Sequence, residues 1–570
     1  MFWLGSDTDS TTLRLGTLAL TRPLLDRLRF ADAVDQLAPA DPQQEYSHGQ
    51  ILAALLAARL DRPLALMNVA EWARDAATEL LFGIPPDKLN DDRLARSLDA
   101  LFDIRHSLAA AVVAEAMRWA EVQPGRIHFD PTDITFFGRY DDSTPRPDTT
   151  TLPRDGKLPP AHLTRGYASG DVSIQLGVAA HVDDFGAFPL AFHCYDGNRN
   201  GHTGIREQLQ LMRAGRLLPD DAVIVSDRGT FSAEHLVTLQ KYGQSALCAV
   251  PWNDYRTLFD EQRTQLNWQP ATFLSQEQQR RRATGSTLPR DEYRLAVLRH
   301  TLTHRDTKTA VDCRVIFVHS TAGEREERER REDNVVAIRT GLAELADKLQ
   351  RGHPQSTAES IRRQIVRLLG KRDAARFFRW QLVPLSPAER ETQPAPRKGF
   401  TRPTHRLEWS FDEAAAAASQ TADGISVLVT TAPTTLSADQ LFTQYKKQCY
   451  VERMHHQLKT PLAVSPVFLK TPRRVEALIH LLTLGLVAQQ AAERVYRVRE
   501  SAATGTRDRT TADRLWEAFR PCAVLLEHAS CGTVVRTVRL GDRPRGILDR
   551  LGLASPRQCL KTHLPPRPSD

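Results

Sequence analysis

The feature that most limits what this chain can fold into is a change of residue pattern at Arg126. From there RIHFDPTDITFF is rich in β-branched and aromatic residues, as a strand requires. Two further strand-like runs, SIQLGVAAHV and AFPLAFHCY, are joined by Asp183-Asp184-Phe185-Gly186, a turn of hairpin type. A helical pattern covers Ile205 to Ala214, and DAVIVSD then reads as a short buried strand that ends at Asp227, before Arg228-Gly229. A helix from Ala233 to Lys241 and a strand from Ala246 to Val250 complete the series β-β-β-α-β-α-β. Such an order predicts an α/β domain built on a mixed sheet, with an antiparallel meander and helices on its faces.

The rest of the 570 residues divides around this series, and the length alone implies several domains. Residues 1–120 read as a helical domain. Leu18, Leu20, Leu24, Leu25 and Leu28 fall at helical spacing, as do Ile51, Leu52, Leu55, Leu56 and Leu60 after a capping Ser47. The second of these helices ends at Asp61-Arg62-Pro63, and a further pattern runs through Met67 and Trp72. This pair is either a DNA-reading helix-turn-helix or a bundle used for packing or dimerisation. Residues 121–251 hold the mixed-sheet series, with a long Pro/Thr-rich loop from Asp141 to Pro160. Residues 252–415 interrupt it with two strand-like pieces and a charged helical pair, Glu324 to Gln350 and Ser356 to Leu369. Residues 416–500 resume it with a strand, a helix Ala438 to Lys459 capped by Ser437, and a helix Pro472 to Arg499; residues 501–570 form a basic C-terminal region. Within the interruption EREERERRED is balanced in sign and reads as a solvated helix face, whereas KRDAARFFRW, Lys371 to Trp380, mixes cations with aromatics and is the better candidate for touching nucleic acid.

Composition narrows the class. Seven scattered cysteines without a C-x-x-C pair indicate neither a zinc finger nor a disulfide framework, and a reducing cytoplasm is expected. The N-terminus MFWLGSDTDS carries acids where a signal peptide needs bases. The most apolar stretch, Ala477 to Ala492, is interrupted by His480, Thr483, Gln489 and Gln490, so it reads as a buried helix and no membrane partner is expected. A net charge of +7 favours a polyanionic partner, although spread over this length it is a modest excess.

The richest segment is YKKQCYVERMHHQLK, Tyr445 to Lys459. On one continuous helix Tyr445, Gln448, Glu452, His456 and Lys459 fall on one face, most of them inside an arc of about 60°. The spacing Y-x2-Q-x3-E-x6-K resembles the Y-x2-R-x3-E-x6-K signature of a large branch of DDE transposases from bacterial insertion sequences, with Gln448 as the departure. HFDPTDITFFG is similar to that family's first-aspartate strand, IVSDRG to its second-aspartate motif, and YSHGQILAALLAARL to the helical domain that precedes its nuclease core.

The resemblance implies an RNase H-like core, whose element order the series above shares, with a large insertion between the second Asp and the Glu helix. It implies a magnesium-dependent enzyme with Asp130, Asp227 and Glu452 as metal-binding acids, and DNA contacts from Tyr445, Gln448, Lys459, His456 and Arg228. The chemistry agrees: two Mg²⁺, for which Mn²⁺ can substitute, need clustered carboxylates and no thiol set. Asp130 is preferred over Asp133 on motif alignment, and Pro131 predicts that the strand ends or bulges there. The implied cycle is hydrolysis at terminal inverted repeats followed by attack of the freed 3′-hydroxyl on target DNA, by a homodimer on paired ends in the cytoplasm. Two other readings keep the same fold: an inactive transposase-derived DNA-binding protein and a structure-selective nuclease. Cleavage and strand-joining assays separate them.

Overall fold

The computed structural model describes residues 9–136, 140, 143–145, 158–166, 171–199, 201–228, 232–285, 291–304, 307–351, 357–370, 372–392, 403–459, 469–529, 532–561 and 563–564. Most of the loop expected from Asp141 to Pro160 lies outside these residues, as does Lys371. The chain forms two compact units: residues 1–248, 301–313 and 430–570, and residues 249–300 and 314–429.

In the first unit a strand β1 (Asp9–Arg14) precedes the helices α1 (His48–Asp61) and α2 (Asp91–Trp119). Ser47 caps α1 in a reciprocal box with Gln50, and the helix is buried nearly all round from Ile51 to Leu60. A helix enclosed on every side is a core element. The helix after it, Val69–Asp75, buries Trp72, whose indole donates to Asp61 at 2.9 Å across the turn. Of the two interpretations of this helix pair, packing fits the burial.

The mixed sheet follows with β2 (Arg126–Thr135), β3 (Val172–Asp183), β4 (Gly186–Asp196), β5 (Val223–Ser226) and β6 (Ser245–Val250). Within this unit the order is β4-β3-β2-β5-β6, with β2, β3 and β4 antiparallel and β5 and β6 parallel to β2. The β3–β4 turn is the expected one, with the Phe185 amide donating to Asp183 at 2.8 Å. Pro131 does not end its strand: β2 pairs with β3 without a register shift, Pro131 opposite Gly177, as far as Thr135. The reason lies on the other side, where β5 pairs only as far as Phe129 opposite Ser226. Beyond that point β2 is an edge strand towards β5, where a missing amide hydrogen breaks no ladder.

The expected helix from Ala438 to Lys459 is two helices, α3 (Ala438–Lys446) and α4 (Gln448–Lys459), with Lys447 as the C-cap of the first. Then α5 (Pro472–Thr504) runs beside α2. Among the described residues it is the one helix long and apolar enough to cross a membrane, and that apolar stretch is wholly buried inside the fold. Arg105 of α2 and Glu476 of α5, 2% and 0% exposed, pair at 2.8 Å. The remaining oxygen of Glu476 accepts from the Ala161 amide at 2.7 Å, so the buried charges are matched on both sides.

The C-terminal region is not a simple basic tail. Strands β7 (Ala523–Ala529) and β8 (Gly532–Arg539) pair with each other, and β1 pairs antiparallel with β7, Asp9 opposite His528. Residues 11–14, expected to be helical, are therefore strand: Ser10-Thr11-Thr12 tolerates both conformations, and a partner more than 500 positions away decides.

The second unit holds the charged helical pair as Thr321–Gln350 and Ala358–Leu369. Its core gathers Ile338, Leu342, Ile361, Ile365, Phe377 and Phe378. The two phenylalanines of KRDAARFFRW are 3% and 6% exposed, so they are core residues and not the stacking platforms the composition suggested. Arg372, Arg376 and Arg379 of that segment stay exposed.

Candidate active site

Strand alternation puts His128 and Asp130 on one face of β2. Strand β5 is parallel to β2 with Phe129 opposite Ser226, so Asp227, the next residue, leaves the sheet level with Asp130 on the adjacent strand. Neighbouring strands lie about 4.8 Å apart, which places the two acids side by side by register alone. One Asp227 oxygen accepts from the Arg228 amide at 2.5 Å.

Glu452 comes to them on α4. Gln448, Glu452, His455 and Lys459 recur at intervals of four, three and four, which is one stripe of a helix. Two of its members touch the same face of β2: the Gln448 carbonyl lies 2.7 Å from His128 Nδ1, and His455 Nε2 lies 3.5 Å from Asp130 Oδ2. The result is a cleft of about 270 Å³ lined by Asp130, Asp227, Glu452, Tyr445 and Gln448, with Lys446 and Cys449.

The electrostatics follow from that enclosure. Burial pushes the Tyr445 phenol up to about 12, and the charges of Asp227 and Glu452 add to it against Arg228. Tyr445 is thus a neutral hydrogen-bond donor at the cleft over the whole working range of pH. His128 is wholly buried and pushed down to about 4, so its imidazole is neutral. Asp133, three positions from Asp130 and on the opposite face of β2, is raised by burial, opposed by the charge of Lys459.

Five of the eight residues singled out from sequence therefore line one cleft: Asp130, Asp227, Glu452, Tyr445 and Gln448. Arg228 is exposed beside Asp227, and Lys459 is exposed at the far end of the α4 stripe. His456 is exposed and lies near Asp513, whose carboxyl is raised by burial and lowered by His456. Within α4 the stripe that faces β2 runs through His455, one position before His456. His128, Gln444 and His455 were missed. The alternation that places His128 on Asp130's face was available in the sequence; the reach of Gln444 and Gln448 to that ring was not.

Two family models match the chain. One, described as a domain of unknown function (DUF4277), covers residues 10–113; the other, described as Transposase DDE domain, covers residues 142–487. Asp227 and Glu452 fall inside the second match, and Asp130 lies shortly before it. No curated protein matches. Among solved structures the chain is similar to the piggyBac transposase in a cryo-EM structure of its synaptic complex with hairpin DNA. There the identity is 8% and the TM-score 0.36, over 90% of this chain and 82% of that one. The DDE match spans more than half of the residues, and this chain belongs to the family of transposases with a DDE domain.

Proposed function

We propose that the chain is the transposase of a bacterial insertion sequence, with an RNase H-like core that cuts DNA at the element's terminal inverted repeats and joins the freed ends to target DNA. The observation that carries this reading is the meeting of Asp130, Asp227 and Glu452, from three distant parts of the chain, in one cleft.

The donor set suits a hard divalent cation. All three acids offer oxygen, two stand side by side on adjacent strands, and among the described residues Glu452 has no cationic partner to neutralise it. Asp130, Asp227 and Glu452 are the groups that would hold Mg²⁺ or Mn²⁺, two ions in this reading. When bound, such ions stabilise charge on the phosphate under attack and on the leaving oxygen. The protein's own part is to position. Tyr445, kept neutral, donates a hydrogen bond to a phosphate oxygen in the cleft, and the exposed guanidinium of Arg228 and ammonium of Lys459 attract the DNA backbone. Gln448 and His456 are assigned secondary contacts. The first step puts a water oxygen on phosphorus and leaves a 3′-hydroxyl; in the second that hydroxyl attacks a target phosphodiester and a strand oxygen departs. Handling two ends together calls for a dimer, and the reaction for a chain working in the cytoplasm.

The test uses labelled terminal-repeat DNA with Mg²⁺ and a target plasmid. Wild-type protein nicks and joins, and Glu452→Gln binds without nicking. Wild-type binding without nicking points to an inactive DNA-binding relative; nicking without joining points to a structure-selective nuclease. Either result defeats the proposal.

A further inference from the structure

We infer that His128 is a positioning residue for this cleft: its imidazole, held between Gln444 and Gln448, fixes the helix that carries Glu452 against the strand that carries Asp130. The inference rests on the reading of the cleft given above. It concerns groups behind the acids, not the acids themselves.

His128 is 0% exposed and spends both ring nitrogens on the two helices. Nδ1 lies 2.7 Å from Gln448 Oε1 on α4, and Nε2 lies 3.0 Å from Gln444 Nε2 on α3. The same Gln444 amide donates to the Val182 carbonyl of β3 at 3.1 Å, so two strands and two helices meet at one ring. An amide oxygen on one side and an amide NH₂ on the other suit a single form of the ring, neutral, with the proton on Nδ1.

The leverage on the site comes from spacing. Asp130 is two residues from His128 on the same face of β2, and Glu452 is one turn from Gln448 on the same face of α4. The 2.7 Å contact therefore ties the two elements together within two residues of one carboxylate and one turn of the other, so a change in its length bears on their separation. Divalent ions in a cage tolerate little such change, and groups that orient ligands rank close to the ligands in effect. The pairing also accounts for glutamine at position 448. His128 Nδ1–H needs an acceptor, and a guanidinium has none to offer.

The experiment uses the full chain with His128→Leu, His128→Gln, Gln448→Arg and the double variant His128→Leu/Gln448→Arg. Mn²⁺ affinity is read by titration calorimetry, cleavage of terminal-repeat DNA at saturating Mn²⁺, DNA affinity in metal-free buffer, and the melting transition. His128→Leu is expected to weaken Mn²⁺ binding and slow cleavage by roughly 10–100-fold, with metal-free DNA affinity within about twofold and a cooperative melt. His128→Gln, which keeps a donor and an acceptor, recovers most of that loss. In Mn²⁺ affinity and in cleavage at saturating Mn²⁺, Gln448→Arg resembles His128→Leu, and the double variant is no worse than the poorer single one, because both remove one shared contact. DNA affinity is compared only for the His128 variants, since Gln448 is itself assigned a DNA contact. A folded His128→Leu that binds Mn²⁺ and cuts like wild type overturns the inference and leaves the reading of the cleft standing. If His128→Leu does not fold, a folded Gln448→Arg with wild-type Mn²⁺ affinity overturns it equally. Wild-type protein that neither binds Mn²⁺ nor cuts DNA overturns the reading of the cleft and the inference together.

Discussion

On the Thr321–Gln350 helix of the second unit, acids find cations within a turn: Glu324 meets Arg328 at 2.6 Å, Glu327 meets Arg330 at 3.9 Å, and Asp347 meets Arg351 at 3.1 Å. On α4 of the first unit, Glu452 has no ion pair among the described residues and shares its cleft with Asp130 and Asp227. Both helices are dense in charge, yet charge density says nothing about their use. A carboxylate balanced on its own helix is a solvated surface group, whereas one kept among other carboxylates is costly unless a cation joins it. Between these lies a third kind, balanced across the fold, as Glu476 is by Arg105.

The comparison is broken most directly by removing one acid of each kind. Glu452→Gln should lower metal-dependent cleavage on the order of a thousandfold, since ion-assisted stabilisation of the reacting phosphate amounts to several kcal/mol. Glu324→Gln should leave the rate within about twofold, and equal losses in the same assay would dissolve the distinction. Glu476→Leu strands a buried guanidinium and should cost about 3–5 kcal/mol of stability, read from denaturant midpoints.

Asp183 sharpens the middle class through pH. Burial pushes its carboxyl up, but His181 and Arg494, with the Phe185 amide, outweigh that and hold it well below the usual carboxylate range. A depressed folded value means that its contribution is complete above about pH 4, the unfolded value, and is lost as pH falls further. Arg494→Met should cost about 1–2 kcal/mol at pH 7, allowing for partial exposure, and should flatten the loss of stability between pH 4 and acid. An unchanged acid limb would remove Asp183 from this class. Smallest of all, Arg328→Ala should change stability, read from urea unfolding, by less than about 0.5 kcal/mol, as an exposed pair one turn apart does.

Local signals were readable and long-range ones were not. The alternation in β2, the Ser47 cap, the Asp183–Gly186 turn and the polar stripe of Gln448 to Lys459 each depend on residues within a few positions. That Phe377 and Phe378 would be core, or that Asp9–Arg14 would be a strand, depends on partners that no local pattern names. The same holds at the site. Asp227 sits level with Asp130 because of a parallel register, and Gln448 reaches His128 across 320 positions. Pro131 shows the opposite error: a sound local rule was suspended because β5 stops before it.

One consequence of this layout concerns time. Asp130 and Asp227 precede the second unit in the chain and Glu452 follows it. At roughly 5–20 residues per second, a ribosome needs on the order of ten seconds or more between making the second acid and the third. For that interval the nascent polypeptide lacks one of the three acids that line the cleft. The set of three is complete only when most of the chain has been made, a delay set by the order of the parts.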